Sequence, residues 1–150
     1  MANNSYEVVE KESKQYIVVM VGSEQYGIDI GYIDNIVRMQ SITRVPKVQP
    51  YFKGVMNLRG EVVPVMSLRL KMGLPEDEFT NASRIIILKI DELGALGIIV
   101  DEVKEVVMLS DDDIEKGSNH GEFINGIGKN GDDLISLFDI SSVVDEKENS

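Results

Sequence analysis

An internal repeat is the sequence feature that most constrains how this chain of 150 residues can fold. Four apolar blocks of the second half match blocks of the first half in the same order, at offsets that grow from 69 to 72 residues. The matched pairs are residues 15–21 with 84–90, 27–30 with 97–100, 54–55 with 126–127 and 62–68 with 134–140. Any one apolar strand can resemble another by chance, but four collinear blocks with aligned glycines favour duplication. Insertions in loops would make the offset grow in this way, so the sequence predicts a duplicated small β-unit.

Each repeat is predicted to form a subdomain of about five short strands that ends in one helical turn, which makes the fold class all-β. Units this small bury little apolar surface alone. The two are therefore expected to share a third apolar interface and to leave a groove between them. The predicted divisions are an N-terminal arm, a first subdomain, a linker, a second subdomain and a tail, at residues 1–14, 15–73, 74–83, 84–144 and 145–150.

The composition disfavours several classes of partner and cofactor. The formal net charge of −11, from 26 acidic and 15 basic residues, disfavours binding to nucleic acid and to anionic membranes. No apolar run approaches the ~20 residues of a membrane helix, so no membrane insertion is expected. The chain has no cysteine and one histidine, which disfavours disulfides and transition-metal sites. We expect a soluble cytoplasmic protein that holds no cofactor and no metal.

The candidate catalytic and cofactor motifs stand in the wrong sequence context. His120 has no orienting partner visible in the sequence, and no pairing of a nucleophile with a base stands out. Residues 126–131 have the spacing G-x-G-x-x-G, but two aspartates and then a strand follow them, where a dinucleotide site needs a helix. The sequence therefore predicts a binding module without catalytic residues.

Residues 54–68 predict a hairpin that carries an arginine in its turn. Two apolar runs flank the turn, in which Gly60 supplies the tight backbone and Arg59 the charge. A guanidinium in such a place either satisfies a structural carboxylate or faces a partner. In the repeat Arg59 aligns with Gly131, so a duplicated fold does not require a charge there. That alignment favours a role for Arg59 toward a partner or in organising the groove.

Several blocks of the chain resemble the CheW family of chemotaxis coupling proteins. They are residues 26–30, 52–60, 63–65 through Leu68, and 97–103, and the similarity extends from about Tyr16 to Val144. The Asn-Leu-Arg-Gly hairpin followed by Pro-Val is the specific part of this resemblance. The resemblance implies two SH3-like five-stranded β-barrels packed side by side. It also implies a non-catalytic adaptor that links the cytoplasmic tips of methyl-accepting chemoreceptors to the regulatory domain of the histidine kinase CheA.

Two other classes of function stay open at this point. One is a different β-barrel module for protein interaction. The other, less favoured, is a small β-barrel enzyme, which would need titratable residues that converge in a pocket.

The resemblance further implies two binding regions. A receptor hairpin is expected to lay an apolar face into the groove between the subdomains. The candidate residues of this receptor groove are Ile30, Ile33, Asn35, Arg59, Val100 and Val103. The candidate kinase-binding residues are Val45, Gly54, Met56 and Leu58. Valine and isoleucine at these spacings also fit a plain core, and the sequence leaves that alternative open.

The position of Asn35 departs from the family pattern. Several relatives carry an acidic residue there that can pair with the hairpin arginine. Asn35 offers only a neutral hydrogen bond, about half as strong as a charge-assisted one. Either Asp29 or Asp34 takes the place of that acid, or Arg59 is free to meet the receptor.

Overall fold

The computed structural model describes residues 12–92, 94–117 and 120–145. Within these ranges the chain forms two short α-helices, α1 (Leu68–Lys71) and α2 (Ile140–Val143), and 3-10 turns at Ile30–Tyr32 and Asp111–Asp113. The rest of the regular structure is β-strand: β1 (Ser13–Val21), β2 (Glu24–Asp29), β3 (Ile33–Arg38), β4 (Phe52–Leu58), β5 (Glu61–Ser67), β6 (Arg84–Ile90), β7 (Gly94–Val100), β8 (Glu102–Ser110), β9 (Ile114–Lys116), β10 (Ile124–Asn130) and β11 (Asp133–Phe138). The all-β fold with short helical turns is confirmed.

The two ends of the chain were predicted as an arm and a tail. Residues 1–11 and 146–150 lie outside the described residues. Ser13 and Lys14 belong to β1, so the first strand begins inside the segment that was predicted to be the arm.

The strands form two sheets that do not follow the two halves of the sequence. One sheet has five strands in the order β3-β6-β7-β5-β4, and all of them lie in the continuous segment 33–100, which we call unit B. The other has six strands in the order β8-β1-β2-β11-β10-β9. It joins residues 13–29 to residues 102–138, and together with α2 it forms unit A. The predicted subdomains at 15–73 and 84–144 therefore differ from the observed units, and the segment 74–83 lies inside unit B.

The difference arises because the repeats exchange their first hairpins. β1 and β2, from the first repeat, pair with β8 and β11 of the second. β6 and β7, from the second repeat, pair with β3 and β5 of the first. The apolar runs identify equivalent strands, but they do not say which copy of the repeat a hairpin joins, since β1 and β6 carry the same pattern.

The repeat itself is confirmed by the pairing pattern. The parallel pairing of Val65 with Gly97 in unit B has its counterpart in the parallel pairing of Leu137 with Gly27 in unit A. The short strand β9, which gives unit A its sixth strand, corresponds to the isolated bridge between Thr43 and Val55 in unit B. Each unit thus has the expected five strands plus one short closing pairing.

Three apolar clusters stabilise this arrangement, one inside each unit and one between the units. Strands β1 and β6 explain the pattern, because successive side chains of a strand point to opposite faces. Their residues that face the interior of their own unit are Tyr16, Val18, Ile85 and Ile87. Their residues that face the other unit are Ile17, Val19, Val21, Ile86 and Leu88. The third apolar interface that the repeat predicts is confirmed.

Candidate functional site

The chain passes between the two units at two places that are equivalent in the repeat. The first crossing is the 3-10 turn Ile30–Tyr32, between β2 and β3. The second crossing is Asp101, between β7 and β8. An offset of 70 residues relates Gly31 to Asp101 and Ile30 to Val100, so any difference between the crossings comes from side chains and not from topology.

The second crossing is closed by an ion pair. Arg69 of α1 donates from Nε to Oδ1 of Asp101 at 3.0 Å and from Nη2 to Oδ2 at 2.7 Å. Asp101 Oδ2 also accepts from the backbone N–H of Gly22, in the β1–β2 turn, at 2.9 Å. The backbone N–H of Asp101 donates to the carbonyl of Met20 at 3.0 Å. One aspartate thus binds α1 of unit B and the first hairpin of unit A.

The electrostatics of this ion pair favour the charged form of both partners. Burial alone would raise the pKa of Asp101, but the hydrogen bonds from Arg69 and Gly22 and the guanidinium charge outweigh burial and lower it. The hydrogen bond to Asp101 raises the pKa of Arg69. Both side chains are about three-quarters buried, with 21% and 26% of their surfaces exposed, so the pair is more than a surface contact.

The first crossing is open. A cavity of about 540 Å³ lies there, between the turn, the end of β6 and α2. Its lining residues are Gly31, Tyr32, Lys89, Ile90, Asp91, Ile140, Ser141 and Val144. Among the described residues, no side-chain hydrogen bond or ion pair joins the turn to unit B; the carboxylate of Asp29 accepts only from the nearby N–H of Gly31, at 2.9 Å, and approaches Lys14.

The four aliphatic residues predicted for the receptor groove separate according to the crossings. Ile30 is 38% exposed beside the open crossing, whereas its equivalent Val100 is fully buried in the cluster between the units. Val100 therefore does not line a surface, because it packs among the residues of that cluster. Ile33 and Val103 are half-buried and pack against the same cluster, one near each crossing.

Asn35 and Arg59 do not interact with each other. Asn35 lies half-buried on β3 and its side-chain oxygen accepts from the N–H of Ile36 at 2.8 Å. Arg59 is exposed, and its side chain makes no hydrogen bond or ion pair within the part of the chain that the structure describes. Neither Asp29 nor Asp34 supplies the missing acid in this structure.

The backbone of Arg59 is unusual for a residue with a side chain. Arg59 and Gly60 form a two-residue turn between Leu58 and Glu61, with φ values of 54° and 86°, as in a type I′ hairpin. The side chain of Asn57 accepts from the N–H of Gly60 at 3.0 Å. The equivalent turn of unit A places Gly131 at φ 66°. Arg59 thus has a left-handed backbone conformation, and the equivalent position in unit A, which has the same conformation, is a glycine.

The residues predicted to bind the kinase only partly share a surface. Val45 and Gly54 line a groove of about 550 Å³ together with Val48, and the two valines are 39% and 43% exposed. Met56 is only 3% exposed, because it alternates inward on β4 into the unit B cluster, so it does not belong to that surface. Leu58 is half-buried against the same cluster.

Two features of the site were missed in the sequence. Arg69 and Asp101 are 32 residues apart, and nothing in the sequence marks them as a pair. The contribution of α2 to the open cavity, through Ile140, Ser141 and Val144, was missed because α2 was assigned only to the end of its subdomain. The repeat shows only that the two crossings differ, since Asp101 aligns with Gly31.

Groups that could perform metal chemistry are scattered. Among the described residues, no three His, Cys, Asp or Glu side chains lie close enough to hold a metal ion. In the same ranges no helix has the length and apolar character to cross a membrane.

Comparisons with known proteins agree with the resemblance in the sequence. The profile of the CheW-like domain family matches residues 15–148. Over 142 residues the chain is 37% identical to the chemotaxis protein CheW of Bacillus subtilis, and the alignment covers 91% of this chain and 90% of that protein. Over 138 residues it is 33% identical to the chemotaxis protein CheW of Helicobacter pylori, with 89% and 83% covered.

A solved structure shows the same fold. The scaffolding protein TtCheW from Thermoanaerobacter tengcongensis matches with a TM-score of 0.79 at 32% identity, over 85% of this chain and 89% of that chain. Together with the two observed sheets, this match bears out the expected pair of SH3-like barrels.

Proposed function

The chain belongs to the CheW-like domain family, and from that premise we propose that it couples chemoreceptors to the histidine kinase CheA as a cytoplasmic adaptor. It is a chemotaxis scaffold and not an enzyme. The proposal concerns the two partners and the surfaces that bind them. The observation that carries it is the contrast between the two crossings: one is closed by its own residues, and the other leaves a cavity of mixed polar and apolar lining open to a partner.

The receptor is assigned to the open first crossing. Tyr32 lines the cavity and is 40% exposed, and Ile30, in the same turn, is 38% exposed; Ile140 and Val144 contribute apolar atoms to the lining. An amphipathic helix buries its apolar face in such a groove, with anchors spaced one helical turn apart. The cytoplasmic tip of a chemoreceptor, which the family resemblance identifies as a helical hairpin, fits this shape.

Arg59 is assigned to the edge of the same surface. β5 and β7 run parallel with Val65 opposite Gly97, so the Arg59 turn lies at the end of the sheet where β6 turns into β7. The residues at that turn, Lys89 to Asp91, line the cavity. A guanidinium there is placed to bind a carboxylate or a carbonyl of a docked helix.

The kinase is assigned to the groove between the crossover segment and β4. Val45, Val48 and Gly54 line it, and Phe52 and Pro64 add apolar surface. This groove and the open cavity are lined by different residues, so one adaptor can hold both partners together. Met56 is left out of this assignment because it is buried.

The experiment is a crossed binding test with purified CheA regulatory domain and a receptor cytoplasmic fragment. Ile30→Asp is expected to weaken binding of the receptor fragment about tenfold or more and to leave CheA binding unchanged, because a buried carboxylate loses its water. Val48→Asp is expected to do the reverse. Phe79→Ser, which removes another exposed apolar side chain from the 74–83 segment, serves as the control for both.

The proposal fails if the native chain forms neither complex at concentrations of about tens of micromolar, a range in which transient signalling contacts are still detected. If both complexes form but Ile30→Asp and Val48→Asp weaken both equally, the function stands and the division of surfaces is wrong.

A further inference from the structure

The relative orientation of the two units depends on the two places where the chain crosses between them. Unit B is inserted into unit A, so between β1 and β11 the chain passes from one unit to the other at the turn 30–32 and at Asp101. Between these points the units meet through the apolar cluster that contains Ile17 and Leu88. Apolar burial is favourable but non-directional, so it keeps the units together without fixing one angle between them.

The ion pair at the second crossing fixes the angle between the units, which the apolar cluster leaves open. Arg69 binds both carboxylate oxygens of Asp101 in a planar fork, and such bidentate pairs add geometric specificity to their energy. The N–H of Gly22 fixes the same carboxylate from the side of unit A. Within the part of the chain that the structure describes, no side-chain hydrogen bond or ion pair joins the turn of the first crossing to unit B.

We infer that Arg69 and Asp101 are positioning residues for the receptor groove, because they fix the hinge at one crossing and thereby set the width of the cavity at the other. The inference rests on the proposed function in that it takes the open cavity as the receptor site. Neither residue lines that cavity, so each acts on it only through the orientation of the two units.

The contact between the helices offers a route for this effect. Lys71 of α1 donates to the carbonyl of Asp145, just after α2, at 2.6 Å. Its ammonium also lies 4.1 Å from the centre of the Tyr51 ring and 5.8 Å from that of Phe123. A shift of α1 that follows loss of the Arg69 fork is therefore transmitted to the helix that forms one wall of the cavity.

The test measures the width of the open crossing directly. The native chain has no cysteine, so Lys89→Cys and Ser141→Cys place two spin labels on opposite units at the rim of the cavity. Both positions are exposed. In this labelled chain, Arg69→Ala and Asp101→Asn are expected to shift or broaden the distribution of distances between the labels. Arg69→Lys keeps the charge but not the fork, and is expected to give an intermediate distribution.

A matched control removes an ion pair that does not cross between the units. Lys53 and Glu76 pair at 2.6 Å, and both belong to unit B. Lys53→Ala is therefore expected to leave the distances between the labels unchanged. Affinity for the receptor fragment, measured on unlabelled chains, is expected to fall about three- to tenfold in Arg69→Ala and Asp101→Asn, within the range of couplings between residues of one network.

The possible results separate the inference from the proposed function. Distances that stay unchanged in both Arg69→Ala and Asp101→Asn, at temperatures well below melting, overturn the inference, whatever the receptor binding. If Arg69→Ala does not fold, the isosteric Asp101→Asn and the conservative Arg69→Lys decide the outcome. If the distances shift in the variants but the native chain does not bind the receptor fragment, the result supports the hinge and overturns the proposed function.

Discussion

Replacing Arg59 by glycine separates the contribution of its side chain to binding from the free-energy cost of its left-handed backbone conformation. The residue has φ 54°, where a side chain costs about 1 kcal/mol or somewhat more, and glycine removes that cost. Glycine also gives the unfolded chain extra freedom, which costs about 0.4–1 kcal/mol. The two effects nearly cancel. Since 1 kcal/mol corresponds to about 2–4 °C for a domain of this size, the Tm of Arg59→Gly should stay within about 2 °C of the native value.

Binding should respond very differently. Arg59 makes no hydrogen bond or ion pair among the described residues, so its guanidinium contributes little to folding. An arginine that anchors an interface costs about 2 kcal/mol when it is truncated, and 1.4 kcal/mol is tenfold in affinity. We therefore expect Arg59→Gly and Arg59→Ala to bind the receptor fragment at least about tenfold more weakly, in a titration followed by calorimetry. Differential scanning calorimetry of the same samples gives the Tm values.

Two results would refute the reasoning. If Arg59→Gly binds the receptor fragment as tightly as the native chain does, the guanidinium does not face that partner. If Arg59→Ala and Arg59→Gly both melt more than about 5 °C below the native chain, the Arg59 side chain is structural, because its loss is the one change that the two variants share.

Three further predictions concern stability, each measured by thermal melting. The pKa of Asp101 is lowered from its ordinary value of 3.8, so its stabilisation is complete above that value and is lost as pH falls through the lower value of the folded state. The native Tm should therefore fall more steeply than that of Asp101→Asn as pH is lowered below about 4; parallel curves would contradict this. Gly54→Ala places a Cβ 2.0 Å from the carbonyl oxygen of Thr43 and should cost about 3 kcal/mol or more, whereas Gly73→Ala, with no atom within 4 Å, should cost only about 1 kcal/mol of left-handed strain. Leu88→Ala opens a cavity between the units and should cost about 2–5 kcal/mol in one transition, and two separate transitions would show that the units unfold independently.

The sequence predicted the class of fold and the repeat, because both depend on local patterns. The nearly continuous apolar run in 84–90 is typical of a strand buried on both faces, and Ser67 and Gly73 mark the limits of α1. Ser110 and Asp113, three residues apart, cap the 3-10 turn in the same local way, with Asp113 accepting from the N–H of Ser110 at 2.9 Å. Each of these features is fixed by residues that are near one another in the chain.

The assignment of strands to units could not be predicted in the same way. Hairpin exchange depends on which copy of the repeat a hairpin pairs with, and the two copies offer the same apolar surface. Val100 is buried in the cluster between the units and Met56 in the cluster inside unit B, and a sequence read one strand at a time does not show what covers either residue. The pair of Arg69 and Asp101 is likewise a product of topology.

Duplication gives a criterion for function in this chain that a single barrel would not give. Equivalent positions share the same backbone requirements, so a difference between them cannot be explained by the fold alone. Gly131 meets a left-handed turn at no cost, while Arg59 bears the cost and stays exposed. Asp101 is fixed by an ion pair, while the equivalent Gly31 lines an open cavity. Both differences leave the β6–β7 end of unit B accessible, and that convergence favours one partner surface there over two unrelated irregularities.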